Sequence, residues 1–427
     1  MFIMKKLLTL TAIGTIIVCA DAYASGFNLK EQSVSAMGNA FAGATAGAED
    51  ISYSYFNPAG LTRHAGTQTS FGGTWIAPRS KAKRAVAHIP GHPDAVSGYT
   101  GDIVHAAVAP NAYFSHQIND KWTAGISLNV PYGMVTKYDD NWAGRMHGTL
   151  SKVTTVTVTP MMAYKATDKL SLGAGLQMQY IKARLRNSTL VKNPQTGMPI
   201  RGAEDRATLE GDTFDIGYNL GALYEYSDQT RFGIGYRSQI KHKLKGDISF
   251  EGLMMPANQN IHARITTPAN LTIGAYHDLN DKWSVMAEFG RTYWSSFESL
   301  DIYGYKNGLM SKTEERWKDT TFYALGASYK YNDQWKFRVG FAVDQSAVGQ
   351  EYRTPRIPDA DRLWYSTGVE YKYNEDWTFN LGYTYIRADK SKVALWGYHE
   401  GDAARGTLEA DYENDIHILG LGATYNF

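Results

Sequence analysis

The sequence predicts an all-β fold: a transmembrane antiparallel β-barrel of about fourteen strands with a small N-terminal hatch, or plug, inside the lumen. Three observations predict it. Segment after segment alternates apolar with small or polar residues at a period of two. Short and long connections between those segments alternate strictly. The composition, with 29 Tyr, 10 Trp and 41 Gly at a mean hydropathy of -0.37, suits strands whose two faces meet different media. A lipid-facing strand needs apolar residues only at alternate positions, so mean hydropathy stays low. Composition alone is equally compatible with a soluble periplasmic all-β protein, and alternation decides between them.

The chain opens with Lys5 and Lys6, an apolar run from Leu7 to Val18 and the small-x-small triplet Ala22-Tyr23-Ala24, which reads as an export signal over 1–24 with the mature chain starting near Ser25. Its removal takes two lysines and one aspartate, bringing the formal charge of +1 to zero; nothing in that balance points to a nucleic-acid partner. The single cysteine, Cys19, lies inside the signal, so the exported protein has no thiol, disulfide or cysteine metal site. Beyond the signal no run of about 18 apolar residues occurs, which excludes an ordinary helical membrane protein.

Residues 25–64 are rich in Ala, Gly and Ser, alternate little and precede the first strand. A segment of this size can fold into a lumen intermediate between filled eight-stranded barrels and open porins. It is the expected hatch, and 65–427 the expected barrel.

Strands are expected near 66–77, 101–115, 122–135, 152–166, 169–185, 212–226, 229–245, 261–277, 282–298, 316–331, 334–345, 361–373, 375–390 and 410–427. In the last, Phe427, Tyr425, Ala423, Leu421 and Leu419 form one face and Asn426, Thr424, Gly422 and Gly420 the other. In 334–345, Trp335, Phe337, Val339 and Phe341 oppose Lys336 and Arg338, and cations so placed must look into a lumen. The short turns share a composition, as in Asn119-Asp120-Lys121-Trp122, Asn280-Asp281-Lys282-Trp283, Asn332-Asp333-Gln334-Trp335 and Asn374-Glu375-Asp376-Trp377. Asn and Asp make tight turns, and the Trp that follows suits an interfacial aromatic girdle. The long polar stretches 78–100, 136–151, 186–211, 246–260, 299–315, 346–360 and 391–409 are the expected extracellular loops.

The run Ser25-Gly26-Phe27, Glu31-Gln32-Ser33, Gly38-Asn39-Ala40, Glu49-Asp50 and Asn57-Pro58-Ala59-Gly60-Leu61 resembles the hatch of the FadL/TodX outer-membrane transporters of long-chain fatty acids and aromatic hydrocarbons. Tyr236-Arg237-Ser238, Lys318-Asp319 and Ile357-Pro358-Asp359-Ala360-Asp361-Arg362-Leu363-Trp364 extend the resemblance over the mature chain. It implies passive uptake of a hydrophobic small molecule, such as a long-chain fatty acid or a monoaromatic hydrocarbon. The ligand would be captured between extracellular loops, bound in the interior and released sideways into outer-membrane lipid through a kink in the third strand. A monomer without cofactor or metal is expected.

Residues are expected at each step. Leu253, Met254 and Met255 form an apolar patch in a polar loop, and flexible Met side chains suit ill-defined greasy ligands. Val130-Pro131-Tyr132-Gly133 interrupts the third strand, since Pro lacks a ladder donor and Gly weakens packing. Asn57, Pro58 and Ala59 would lie against that kink, with Asn57 bonding the backbone groups it frees, and Ala107 is grouped with this exit. Phe27 matches the residue with which the family's N-terminus reaches into the interior pocket. Lys318 shares the parity of Phe322 and Ala324 and should point inward, where a cation meets a carboxylate headgroup. Arg184 and Asn187 are also assigned to the pocket. Asn187 stands where the long-chain fatty acid importer has an arginine, and Arg184 has the opposite parity, which opens the choice between a carboxylate and a neutral cargo. No catalytic constellation emerges: His105, His147, His242, His262 and His417 are scattered without a nucleophile motif or metal spacing. A general porin is the other reading, against which the hatch-like N-terminus argues.

Overall fold

The structure, a computed structural model, describes residues 26–427 apart from 93, 99, 253–257 and 305–307. The export signal, Cys19 and the Leu253, Met254, Met255 patch therefore lie outside the described residues.

Fourteen antiparallel strands form one barrel. In order they are Thr67–His88; Ala107–Gln117; Trp122–Asn129 continued as Gly133–Lys137; Leu150–Lys165; Leu170–Lys192; Pro199–Glu225; and Thr230–Arg237 continued as Ile240–Glu251. The eighth is Gln259–Thr267 with Asn270–Asp278, the ninth Trp283–Thr292 with Ser299–Tyr303, and the tenth Leu309–Glu314 with Thr320–Lys330. Trp335–Asp344, Arg362–Lys372, Trp377–Ala388 with Ser391–Leu395, and Thr407–Asn426 complete the set. The first and last strands pair from Gln68↔Asn426 to His88↔Thr407 and so remove the terminal sheet edges.

Several boundaries differ from expectation: the first strand runs to His88 rather than 77, the seventh to Glu251 rather than 245, and Ser299–Tyr303, Leu309–Glu314 and Ser391–Leu395 are strand within expected loops. The second strand begins at Ala107 rather than 101, because the preceding chain turns inward and buries Ile103 and Val104. The stretch 186–211 is largely strand, with Leu190 still opposite Glu204. Beyond the lipid both faces of a hairpin are wet, so the ladder persists without the alternation that marks it in sequence.

The outward face carries apolar side chains such as Phe71, Trp75, Leu172 and Leu421, while Thr74, Ser115, Thr155 and Thr384 point in and are buried. Each Asn-turn closes in the same way. The Asn119 Oδ1 accepts from the backbone N–H groups of Lys121 at 2.9 Å and Trp122 at 3.0 Å, and Asn280, Asn332 and Asn374 repeat it. The Trp after each turn packs on a cross-strand Tyr, as in Trp122–Tyr164 at 4.5 Å and Trp377–Tyr425 at 4.8 Å between ring centroids. This is the outward aromatic belt the sequence pattern predicts.

Residues 26–66 fill the lumen. They contain one helical turn, Val34–Met37, and two 3-10 turns, Ile51–Tyr55 and Pro58–Arg63, capped by the side chains of Ser33, Asp50 and Asn57. The helical turn touches the first, twelfth, thirteenth and fourteenth strands and the last 3-10 turn touches the third to sixth, so the segment bridges the bore. Glycines in the wall let it lie flush: a Cβ on Gly221 would meet the Asn57 Oδ1 at 2.0 Å, and one on Gly340 would meet the Asn39 backbone at 2.1 Å. Charge fastens it further. The inward Arg338 bonds Glu49 at 2.6 Å and Glu370 besides, and Lys336 lies 3.5 Å from Glu49.

Candidate functional site

The third strand breaks where Pro131 removes a donor. Above the break, Gly133–Lys137 pairs only with the fourth strand, and the second strand pairs with the third only from Ala112 to Gln117. On that side Ala107–Asn111 of the second strand has no ladder partner among the described residues, leaving a seam in the wall. Ala107 and Val130, on its two sides, belong to one apolar cluster.

The backbone groups freed by the kink are taken up by the N-terminal segment. Leu29 N–H donates to the Pro131 carbonyl at 2.8 Å and Gly133 N–H to the Phe27 carbonyl at 3.0 Å. The Gln32 carboxamide donates to the Val130 carbonyl at 2.8 Å and accepts from Val130 N–H at 3.3 Å and from the Asn129 side chain at 3.2 Å. Asn57 does not perform this role. Its amide donates to the Thr45 carbonyl at 2.8 Å and to the Ala222 carbonyl of the sixth strand at 2.9 Å, while Pro58 and Ala59 lie on Gly173 of the fifth. The expectation that Asn57 serves the kink is thus corrected: bulk at positions 173 and 221 is missing, and the Asn-Pro-Ala turn settles there.

Phe27 is 1% exposed in an aromatic chamber with Tyr132, Trp294, Phe297 and Trp317. Its ring lies 4.8 Å from that of Trp294 and 5.8 Å from that of Tyr132. Gly26 precedes it at φ +65, where a Cβ would meet Trp317 at 2.5 Å, and its N–H donates to Asp359 at 3.1 Å. The chamber is filled by the protein's own N-terminus.

Outward of it lies a cavity of about 660 Å³, within the usual size of small-molecule sites. Leu185, Leu209, Ile248, Phe250, Leu300 and Ile302 give it an apolar wall, and Asn187, Arg356 and Arg405 a polar end. Arg356 donates to the Leu150 carbonyl at 3.0 Å, the Ser151 hydroxyl at 2.9 Å and the Asn187 Oδ1 at 3.4 Å. Burial, with Arg405 nearby, pushes the Arg356 guanidinium down to about 10. Burial also lowers Arg405, while Asp402 at 3.6 Å works against it. Two guanidiniums facing an apolar hollow favour an anion between them.

Of the residues assigned to the pocket, Asn187 lines this cavity and Phe27 occupies the chamber beside it. Two others are misplaced. Arg184 stands on the barrel's outer face, cross-strand to Lys152 and Glu210 and 3.4 Å from the latter. Lys318 is exposed beside Gly349, and Trp317 takes the inward place. The tenth strand is interrupted between Glu314 and Thr320, and Arg316 adopts φ +40, so parity read from Phe322 does not carry back to 318. Sequence reasoning missed Arg356, Arg405 and Gln32; the rigid Pro355 and Pro358 around Arg356 are the one signal that marks it.

A closed fourteen-strand barrel with an apolar outer band, an aromatic girdle and a filled bore defines a plugged outer-membrane barrel, and its family makes it a transport protein, not an enzyme. The family model described as outer membrane protein transport protein (OMPP1/FadL/TodX) matches residues 15–427, and the chain belongs to that family. It acts in the bacterial outer membrane on hydrophobic compounds. It is 29% identical over 447 residues to the long-chain fatty acid transport protein of Escherichia coli O6:H1, covering 97% of both chains. To outer membrane protein P1 of Haemophilus influenzae it is 27% identical over 463 residues, covering 98% of this chain and 99% of the other. The crystal structure of a Pseudomonas aeruginosa FadL homologue superposes with a TM-score of 0.86 at 24% identity, over 94% of this chain and all of that one.

Proposed function

We propose that the protein takes up long-chain fatty acids passively. The observation that carries this is the pair Arg356 and Arg405 in a 660 Å³ cavity that has an apolar wall and, besides them, Lys192, Lys312 and Glu400 in its lining, a match for a carboxylate on a greasy chain. The acyl chain then displaces Phe27 from the aromatic chamber, a shift that requires tighter binding to the displaced state. It leaves through the seam between Ala107–Asn111 and Val130–Gly133 into the bilayer. Asn187, which cannot carry charge, orients Arg356 instead. Uptake of monoaromatic hydrocarbons by the same route is a second reading, favoured by the four rings gathered around Phe27.

Dissociation constants of purified protein for dodecanoate, dodecanol and toluene separate the two. Charge-assisted bonds are worth about 1.5–3 kcal/mol, so Arg356→Ala and Arg405→Ala should each weaken dodecanoate about tenfold to a hundredfold and leave dodecanol and toluene near wild type. Equal losses for acid and alcohol, or wild-type affinity for toluene well above that for dodecanoate, would overturn the carboxylate reading.

A further inference from the structure

We propose that the outer face of the seventh and eighth strands is a binding site for a phosphorylated glycolipid of the outer leaflet. Lys241, Lys243 and Lys245 on the seventh strand alternate with buried Ile240, His242 and Leu244, so all three ammonium groups stand on the outside. Lys243 is directly opposite Arg264 of the eighth strand, which is exposed on the same face. Like charges in direct cross-strand register destabilise a sheet. Here two of them face each other, with further lysines on the next rung of that face on either side. Among the described residues none of the four is in an ion pair. Lys182 and Arg184, two strands away on the same face, are by contrast neutralised by Glu210 at 2.5 and 3.4 Å. Lys245 faces Asp212 across the strands, whereas Lys241 faces Thr266 and Lys243 faces Arg264, so three cations on this lipid-facing wall lack an acidic ladder partner and call for anions from outside the chain.

Its height selects their source. On the neighbouring sixth strand the outward residues from Tyr224 up to Phe214 are apolar or aromatic, and the next, Asp212, is the cross-strand partner of Lys245. At about 3.3 Å per residue and about 40° of tilt this run spans about 25 Å, the height of an outer-membrane apolar band. The quartet therefore straddles the band's outer edge, where headgroup phosphates lie and lysines reach them by extending upward. Phe214 and Ile216, 57% and 60% exposed, offer acyl contact immediately below. Phosphomonoesters on a saccharide head with several acyl chains meet both requirements, and clustered cations at such a boundary are the usual signature of anionic lipid recognition.

The test uses full-length protein in detergent, with binding read by native mass spectrometry. The probes are bisphosphorylated lipid A, its dephosphorylated form, and inorganic phosphate. Wild type should bind bisphosphorylated lipid A at least about tenfold more tightly than the dephosphorylated form, and the combined K241Q, K243Q, K245Q and R264Q variant should lose that ratio. A control replacing Lys121, Lys169 and Lys282 at the opposite rim by Gln should keep it. The neutral variant should fold, since cross-strand repulsion is removed, and its thermal midpoint without lipid should not fall. Equal binding of both lipid A forms, an unchanged ratio in the quartet variant, a lower midpoint, or saturation by inorganic phosphate alone would each overturn the proposal.

Discussion

At the scale of single residues, the site is set by who neutralises whom. Glu315 is buried beside the cavity's arginines, and its carboxylate accepts from the Trp317 indole N–H at 2.9 Å. Burial raises its carboxyl to about 7 from 4.5, with Trp317, Arg356 and Arg405 opposing the rise. Below 4.5 folded and unfolded chains are both protonated there, and the contribution to stability is complete. As pH climbs toward about 7 the unfolded chain ionises first, so stability falls, and the loss is finished above it. The thermal midpoint of wild type minus that of Glu315→Gln should accordingly decline between pH 4.5 and 8; parallel pH profiles would refute the assignment. Asn187, assigned to the pocket through the family resemblance, lines the cavity. The guanidinium that serves it was not legible in the sequence, because Arg356 arrives from 169 positions away and no local pattern links them.

At the scale of elements, the kink is a place where the wall gives up its own hydrogen bonds and borrows others. Pro131 and Gly133 announce the break in sequence, since one lacks a donor and the other a packing side chain. What occupies the freed groups depends on which segment lies opposite. Asn57 is a good hydrogen-bonding residue beside a proline, yet it sits on the glycine floor of the fifth and sixth strands, and Gln32 stands at the kink. Gln32→Ala leaves the Val130 carbonyl and N–H without that partner, a cost of about 1–3 kcal/mol. Hydrogen exchange should then rise at residues 129–133 and 27–29 while the fourteenth strand stays protected. Exchange unchanged at the kink would show that the carboxamide is dispensable. Lys318 failed at this same scale, because parity holds only within an unbroken strand; Arg184 was assigned to the pocket against its own parity, which already set it on the face opposite Asn187.

For the whole molecule, the decisive feature is a bore closed by residues 26–66, anchored through Glu49 to Arg338 and Lys336. A transporter so closed should show no large steady conductance in a planar bilayer. Glu49→Gln removes one charge-assisted anchor, worth about 1.5–3 kcal/mol, and should raise the frequency of transient openings several-fold with barrel stability retained. A large open channel in the wild type would favour a general porin.

The sequence by itself determined the barrel, its strand number, the inward Lys336 and Arg338 and its aromatic turns, because each follows from a two-residue period and from local turn chemistry that neighbours in the chain enforce. Only the tertiary structure decided that Gln32 serves the kink, that Phe27 fills the aromatic chamber, and that Arg356 and Arg405 end the cavity. Those depend on segments brought together by closure of the sheet around its own N-terminus, and no spacing along the chain encodes that encounter.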